Sequence, residues 1–135
     1  MIRIITDSAA DFEPQELKEN NIYCVPMQIS FNDAEYKENE NLSKEQFYEL
    51  LEKCNCFPKT SQPAPHDFEV LLKEFMKNND ECIIITVSSS LSGTYQNASL
   101  VKNLLAYENC YIVDSLNAAA GERLLTDYAI VLRNG

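Results

Sequence analysis

The chain has 135 residues, a formal net charge of −10 and 45% hydrophobic residues. A chain of this length forms about one domain and buries a core without needing disulfides or a metal ion. Its negative charge repels phosphodiester backbones and anionic membrane surfaces, so we expect no nucleic-acid partner.

Short apolar runs rich in β-branched residues alternate with helical patterns along the chain. The runs that predict buried strands are residues 2–6, 23–25, 82–87 and 110–113, and the alternating run 27–31 predicts a half-exposed strand or hairpin. The helical patterns are residues 14–20, 43–54, 66–78, 91–105 and 118–132. Such alternation is typical of a parallel sheet with helices on both faces. The sequence therefore predicts an α/β fold, a three-layer α/β/α sandwich with a mainly parallel sheet.

A hydroxyl-rich segment, SSSLSGT at residues 88–94, directly follows the strand at 82–87. We expect Ser90 to be the N-cap of the next helix, with Gly93 in its first turn, where the missing Cβ lets a ligand approach the backbone. Free N–H groups, hydroxyls and the helix dipole favour a carboxylate or phosphate there. A helix cap alone needs only one hydroxyl, so capping does not account for five hydroxyls in seven residues. The segment lacks the glycine-lysine pattern of a P-loop and the GxGxxG pattern.

Two further loops, at residues 6–11 and 114–115, are expected at the same edge of the sheet. With Asp7 as acid and Asp114 as base, this edge would suit an enzyme acting on a small phosphorylated or carboxylated metabolite. Asx-turns explain both Asp-Ser pairs more simply, and no histidine or lysine stands beside these serines. A third alternative is an interaction module that binds a basic partner through the acidic stretch 33–52, although a solvated face accounts for that stretch more simply.

The chain has an odd number of cysteines, namely Cys24, Cys54, Cys56, Cys82 and Cys110. Three of them lie in apolar strand-like runs, so we expect all five to be reduced and unbonded in a reducing compartment. No basic-plus-apolar leader opens the chain and no apolar run reaches the length of a bilayer, which favours a cytoplasmic location. Cys54 and Cys56 are too closely spaced for a zinc half-site, and His66 is the single histidine. We therefore expect no metal and no cofactor.

Several segments together carry a resemblance to a known family. They are ITDS at 5–8, ADF at 10–12, VP at 25–26, FY at 47–48, TSQP at 60–63, SSLSGTYQ at 89–96 and VDS at 113–115. The chain resembles the N-terminal part of the DegV family of bacterial lipid-binding proteins, because it has these segments in the same order as the family. Family members are substantially longer, so the resemblance implies that residues 1–135 are the N-terminal α/β lobe and that a second lobe is absent from this sequence.

The resemblance implies a carrier of one long-chain fatty acid that has no catalytic residue of its own. It places the carboxylate-binding hydroxyls on Thr60 and Ser92. The further expected ligand-binding residues are Ser61, Gly93, Ser8 and Ser90. Without the resemblance, Thr60 and Ser61 would suggest only an extended turn before the helix that follows. In that family the bound acid is presented to a separate fatty-acid kinase with a dihydroxyacetone-kinase-like domain, which makes an acyl phosphate for phospholipid synthesis.

Overall fold

The computed structural model describes residues 1–32 and 34–135. Its strands are β1 (Ile2–Asp7), β2 (Tyr23–Val25), β3 (Gln28–Phe31), β4 (Ala34–Lys37), β5 (Lys59–Ser61), β6 (Glu81–Thr86) and β7 (Cys110–Asp114). Its helices are α1 (Pro14–Glu19), α2 (Lys44–Lys53), α3 (Pro65–Lys77), α4 (Thr94–Leu105) and α5 (Ala120–Asn134), with a 3₁₀ turn at Ser8–Ala10. Asp33, which opens the acidic stretch, lies outside the described residues.

The main sheet has four parallel strands in the order β2-β1-β6-β7. Successive side chains of β1 point to opposite faces of this sheet. Ile5 packs in a cluster with Phe68 of α3 and Ala98 of α4, whereas Ile4 packs with Ile130 of α5 on the other face. Helices therefore cover both faces, and the predicted three-layer α/β/α sandwich with a parallel sheet is confirmed.

A second, smaller sheet has three antiparallel strands in the order β4-β3-β5. Ile29 and Phe31 of β3 are buried, and Phe47 and Leu50 of α2 pack against them. The strand predicted at 27–31 is confirmed, but the pairing of residues 59–61 with β3 was not predicted from the residues. In the register of this pairing, Thr60 lies opposite Ile29. Residues 59–61 are thus a strand at the edge of a sheet rather than only an extended turn.

The start of α4 differs from the prediction. The helix begins at Thr94 with Gly93 as its N-cap, not near Leu91 with Ser90 as the cap. The reason is a separate turn in front of the helix, in which the Ser88 carbonyl accepts the N–H groups of Leu91 (2.9 Å) and Ser92 (3.2 Å). The hydroxyl-rich segment is therefore mostly loop.

The expectation that all five cysteines are reduced is wrong for two of them, because Cys54 and Cys56 form a disulfide. Their Cα atoms lie 5.2 Å apart where the chain leaves α2, which is within the usual range for a disulfide. The other three cysteines are free: Cys82 and Cys110 are buried, and Cys24 is half-buried.

Two features are absent from the part of the chain that the structure describes. No helix there combines the length and apolar character needed to cross a membrane. No group of three or more His, Cys, Asp or Glu side chains in residues 1–32 and 34–135 is arranged to hold a metal ion.

Candidate functional site

Two aspartates connect the three loops at the carboxyl edge of the main sheet. Asp7 accepts hydrogen bonds from the backbone N–H groups of Ala9 (3.0 Å) and Val87 (2.7 Å). Asp114 accepts from the backbone N–H of Ser89 (3.1 Å) and from the Ser89 hydroxyl. The hydroxyl bond holds the pKa of Asp114 below its ordinary value. Both carboxylates therefore connect loops to one another. Buried polar groups are normally hydrogen-bonded, and here the partners come from neighbouring loops.

These contacts weaken the alternative of an enzyme with Asp7 and Asp114 as acid and base. Asp7 is 1% exposed, and each of its oxygens accepts a backbone N–H group. The oxygens of Asp114 accept from Ser89 and from the backbone of Leu116. Asp7 is shielded from solvent and the oxygens of both carboxylates already hold loop donors, which favours a structural role over that of a general base. The single histidine, His66, is exposed near the start of α3.

Ser8 is one of the predicted ligand-binding residues, and its hydroxyl is already occupied. Its oxygen accepts from the backbone N–H of Met27 (2.8 Å), and its proton is donated to Glu38 (2.6 Å). A serine hydroxyl has only one proton to donate. Burial raises the pKa of Glu38, although the bond from Ser8 acts in the opposite direction. Ser8 therefore joins β1 to the segment after β4 and has no free donor for a ligand while Glu38 is ionised.

Ser92 has a different environment from the other serines of its loop. It is half-buried, and its oxygen lies 2.9 Å from the hydroxyl of the fully buried Thr94. It also accepts the backbone N–H of Thr94 at 3.3 Å. The Thr94 hydroxyl has one proton, which can go to Ser92 or to Sδ of Met27, 3.8 Å away. When Thr94 donates to Ser92, the Ser92 proton is free to bind an anion at the start of α4. Thr94 is thus a supporting residue that was not predicted from the sequence.

Ser90 does not have the capping role that was expected of it. Ser90 is exposed, whereas Ser88 is buried and its hydroxyl accepts the backbone N–H of Ser90 at 3.3 Å. Ser88 also donates its backbone N–H to the carbonyl of Asn117 at 2.8 Å. Ser88 therefore caps the turn in front of α4, whereas the N-cap of the helix itself is Gly93, and Ser90 caps neither.

The TSQP segment lies directly against the LSGT segment. A Cβ added to Gly93 would lie 3.2 Å from Cδ of Gln62, so the side chain that approaches this glycine is Gln62. Asn97 of α4 donates its side-chain N–H to the carbonyl of Pro63 at 3.2 Å. Two segments about thirty residues apart in sequence therefore meet at one place, as a shared binding site requires.

Thr60 lines a cavity of about 300 Å³ between α2 and the small sheet. The apolar residues that line it are Ile29, Leu42, Phe47 and Tyr48. The polar residues that line it are Asp11, Glu38, Asn39, Ser43, Lys44 and Thr60. Ser92, Gly93 and Ser61 are not among the lining residues; Thr60 and Ser61 are both exposed. A cavity of this size is at the lower end for ligand sites, so it suits only part of a long apolar ligand.

Lys44, a basic residue that lines this cavity, is already paired. Its Nζ lies 2.6 Å from the Glu13 carboxylate and 3.1 Å from that of Asp11. These contacts raise the pKa of Lys44 above its ordinary value. Lys44 is therefore already neutralised by two carboxylates among the described residues.

A protein-family model described as "Uncharacterised protein, DegV family" matches residues 1–134. A DegV domain-containing protein of Clostridium acetobutylicum is 31% identical over 132 residues, which cover 98% of this chain and 47% of that protein. Protein DegV of Bacillus subtilis is 35% identical over 115 residues, which cover 84% of this chain and 41% of that protein. The chain spans about half the length of the curated relatives it matches.

Solved structures have the same fold. One is a fatty acid (stearic acid)-binding protein from Eubacterium ventriosum, with a TM-score of 0.89 and 25% identity over 100% of this chain and 48% of that chain. Another is DegV, a fatty acid binding protein from Bacillus subtilis, with a TM-score of 0.88 and 29% identity over 99% of this chain and 48% of that chain.

Proposed function

The chain belongs to the DegV family, and from this membership and the geometry of its loops we propose that it binds a long-chain fatty acid. The hydroxyls of Thr60 and Ser92 hold the carboxylate, and Ser61, Ser90 and Gly93 lie around it. The acyl chain is buried. The observation that carries the proposal is the contact between the TSQP and LSGT segments, where Gln62 packs against Gly93.

The energetics favour an apolar chain with a charged head group. Burying an alkyl chain stabilises the complex by ~0.8 kcal/mol per CH₂, so a long chain supplies the affinity. A hydrogen bond to a charged group contributes about 1.5–3 kcal/mol, so the hydroxyls select the head group. The similar proteins from Eubacterium ventriosum and Bacillus subtilis are themselves described as fatty-acid-binding.

The fatty acid in this proposal is cargo and not the substrate of a reaction catalysed by this chain. We propose that the protein presents the carboxylate to a separate fatty-acid kinase with a dihydroxyacetone-kinase-like domain, which forms an acyl phosphate for phospholipid synthesis. Such a carrier needs no catalytic residue, which agrees with the engagement of Asp7 and Asp114 in loop contacts. We place the carrier in the cytoplasm, where such a kinase would have access to ATP.

Residues 1–135 act in this proposal as the N-terminal lobe of the binding site. A second lobe, of the kind that the resemblance implies, would add further contacts to the carboxylate and cover the acyl chain. The cavity of about 300 Å³ beside Thr60 then holds only part of the ligand.

Organic extraction of the purified protein followed by mass spectrometry tests the proposal. The expected result is one long-chain fatty acid for each protein molecule, and acyl phosphate formation when a fatty-acid kinase and ATP are added. Recovery of a phosphorylated metabolite in place of a fatty acid would support the enzyme alternative. Association with a basic protein that weakens strongly with salt, without bound lipid, would support the interaction module.

A further inference from the structure

A buried pair of carboxyl groups lies beneath the loops of the proposed binding site. Glu122, in the first turn of α5, is 0% exposed, and Asp7 at the end of β1 is 1% exposed. Each of these two carboxyl groups perturbs the pKa of the other, so they lie close together. The Thr6 hydroxyl donates to Oε1 of Glu122 at 3.2 Å. Oε2 of Glu122 has no hydrogen-bond donor as its partner among the described residues.

The surroundings supply no counter-ion for this pair. In residues 1–32 and 34–135, no lysine, arginine or histidine forms an ion pair with either carboxyl group. The titratable groups that face the pair are Cys24 of β2 and Glu38 of the segment after β4. Burial raises the pKa of the Cys24 thiol, which keeps it neutral. Two adjacent buried carboxylates without a cation do not both ionise.

The hydrogen bonds indicate which of the two groups is the neutral acid. Asp7 accepts two backbone N–H groups, and such bonds favour its ionised form. Burial raises the pKa of Glu122, and the neighbouring Asp7 raises it further. A proton on Oε2 gives that atom a partner and gives Asp7 a third hydrogen bond.

We propose that Glu122 is a positioning residue, whose neutral carboxyl group donates a hydrogen bond to Asp7 and thereby holds together the loops that follow β1 and β6. Asp7 connects Ala9, next to Ser8, with Val87, at the start of the loop that carries Ser92. The effect on ligand binding rests on the proposed function, because these loops carry its hydroxyls. The neutral state of Glu122 does not rest on it.

Infrared spectroscopy tests the neutral acid directly. At neutral pH the protein should show the C=O band of a protonated carboxylic acid, and Glu122→Gln should abolish it. Glu108→Gln is the matched control, since Glu108 is exposed, and it should leave the band unchanged. Absence of the band from the wild-type protein at neutral pH, or its persistence in Glu122→Gln, overturns the proposal.

The pH dependence of stability gives a second test with a definite sign. The unfolded chain ionises Glu122 near pH ~4.3, whereas the folded chain keeps it neutral, so above that pH the folded state binds more protons. The free energy of unfolding therefore falls as pH rises, and the glutamine variant, which keeps donor and acceptor, loses this dependence. The Tm of Glu122→Gln minus that of the wild type should increase from about pH 5 to about pH 8. A difference that stays constant, or that turns against the variant as pH rises, overturns the proposal.

Palmitate binding then tests the positioning role. Glu122→Gln should retain wild-type affinity because the amide still donates to Asp7, whereas Glu122→Leu should bind about ten-fold more weakly. Equal loss in both variants would contradict a role through the donated hydrogen bond. If the wild type itself binds no palmitate, the proposed function fails, while the infrared band still decides whether Glu122 is neutral.

Discussion

The carboxylate of Asp7 accepts a hydrogen bond from the backbone N–H of Val87 at 2.7 Å, across 80 positions of the sequence. This bond fixes the end of β1 against the end of β6, the two central strands of the main sheet. The second oxygen of Asp7 accepts from Ala9. One side chain therefore sets the relative position of two loops of the proposed site.

Replacing Asp7 by asparagine should destabilise the fold. An amide has only one acceptor oxygen, so one of the two backbone N–H groups loses its partner in a buried place. An unsatisfied buried donor costs about 1–3 kcal/mol, which urea unfolding resolves. Asp127→Asn is the control, because the Asp127 carboxylate is about half exposed and its ion pair with Arg123 is long, at 3.8 Å. This change should alter stability by less than about 0.5 kcal/mol. Equal stability of Asp7→Asn and the wild type would contradict the role of this bond.

The cysteines should react in two groups. Alkylation in denaturant without reductant should modify the three free cysteines, Cys24, Cys82 and Cys110. Prior reduction should add the two that form the disulfide, Cys54 and Cys56. Mass spectrometry of the intact protein measures both states. Five modifications without reductant would show that the disulfide is absent from the protein in solution.

Glu38→Gln should strengthen fatty acid binding in a pH-dependent way. Glu38 lines the same cavity as Thr60, and ionised it repels a bound carboxylate. Removing one partly screened charge should increase affinity by about three- to ten-fold, or about 1 kcal/mol. Because burial raises the pKa of Glu38, the wild type is partly protonated at mildly acidic pH, and the ratio of the two affinities should grow as pH rises.

Calorimetric titrations of both proteins at several pH values check this ratio. Glu40→Gln is the matched control, since Glu40 is exposed in the same segment. The measured quantity is the affinity of each variant divided by that of the wild type. If this ratio for Glu38→Gln does not change with pH, or equals the ratio for Glu40→Gln, the charge of Glu38 does not act on the bound ligand.

Ala106→Gly should stabilise the protein. Ala106 ends α4 in the left-handed region, with φ 52 and ψ 41, where glycine pays no steric penalty. We expect a gain of about 0.5–1 kcal/mol after the larger entropy of the unfolded glycine chain is subtracted. The same change inside α5, Ala129→Gly, should instead cost about 1 kcal/mol. Thermal unfolding compares them, and a lower Tm for Ala106→Gly would show that the left-handed conformation is not the one in solution.

Local patterns were sufficient to predict the main sheet and its helices. Ile4 and Ile5 lie in a continuous apolar run, and the structure buries them on opposite faces. Continuous apolar runs indicate strands that are buried on both faces. Apolar residues at helical spacing indicate the helices that cover those faces. The start of α4 was missed because several hydroxyls in a row offered competing caps, and the Ser88 carbonyl closed a separate turn first.

Features that depend on distant partners were not accessible from the sequence. The pairing of Thr60 with Ile29 joins strands about thirty residues apart, and no local pattern encodes it. Glu38 looked like one more charge of a solvated acidic stretch, but it receives the Ser8 hydroxyl. Glu122 lies on the buried face of α5. Charged residues are rarely buried without a partner, so a glutamate at a core position of the helical pattern was the available sign of a buried partner.

The most direct test of the central claim compares palmitic acid with hexadecanol by titration calorimetry, in the wild type and in Ser92→Ala and Thr60→Ala. The wild type should bind the acid far more tightly than the alcohol, because the hydroxyls and the start of α4 favour negative charge. Each variant should bind the acid about ten- to a hundred-fold more weakly, from the loss of ~1.5–3 kcal/mol, with its Tm within a few degrees of the wild type. Ser99→Ala, on α4 beyond the loop, should bind like the wild type. Equal affinities for acid and alcohol, or a Ser92→Ala protein that binds the acid like the wild type, would contradict the assignment of these hydroxyls to the head group.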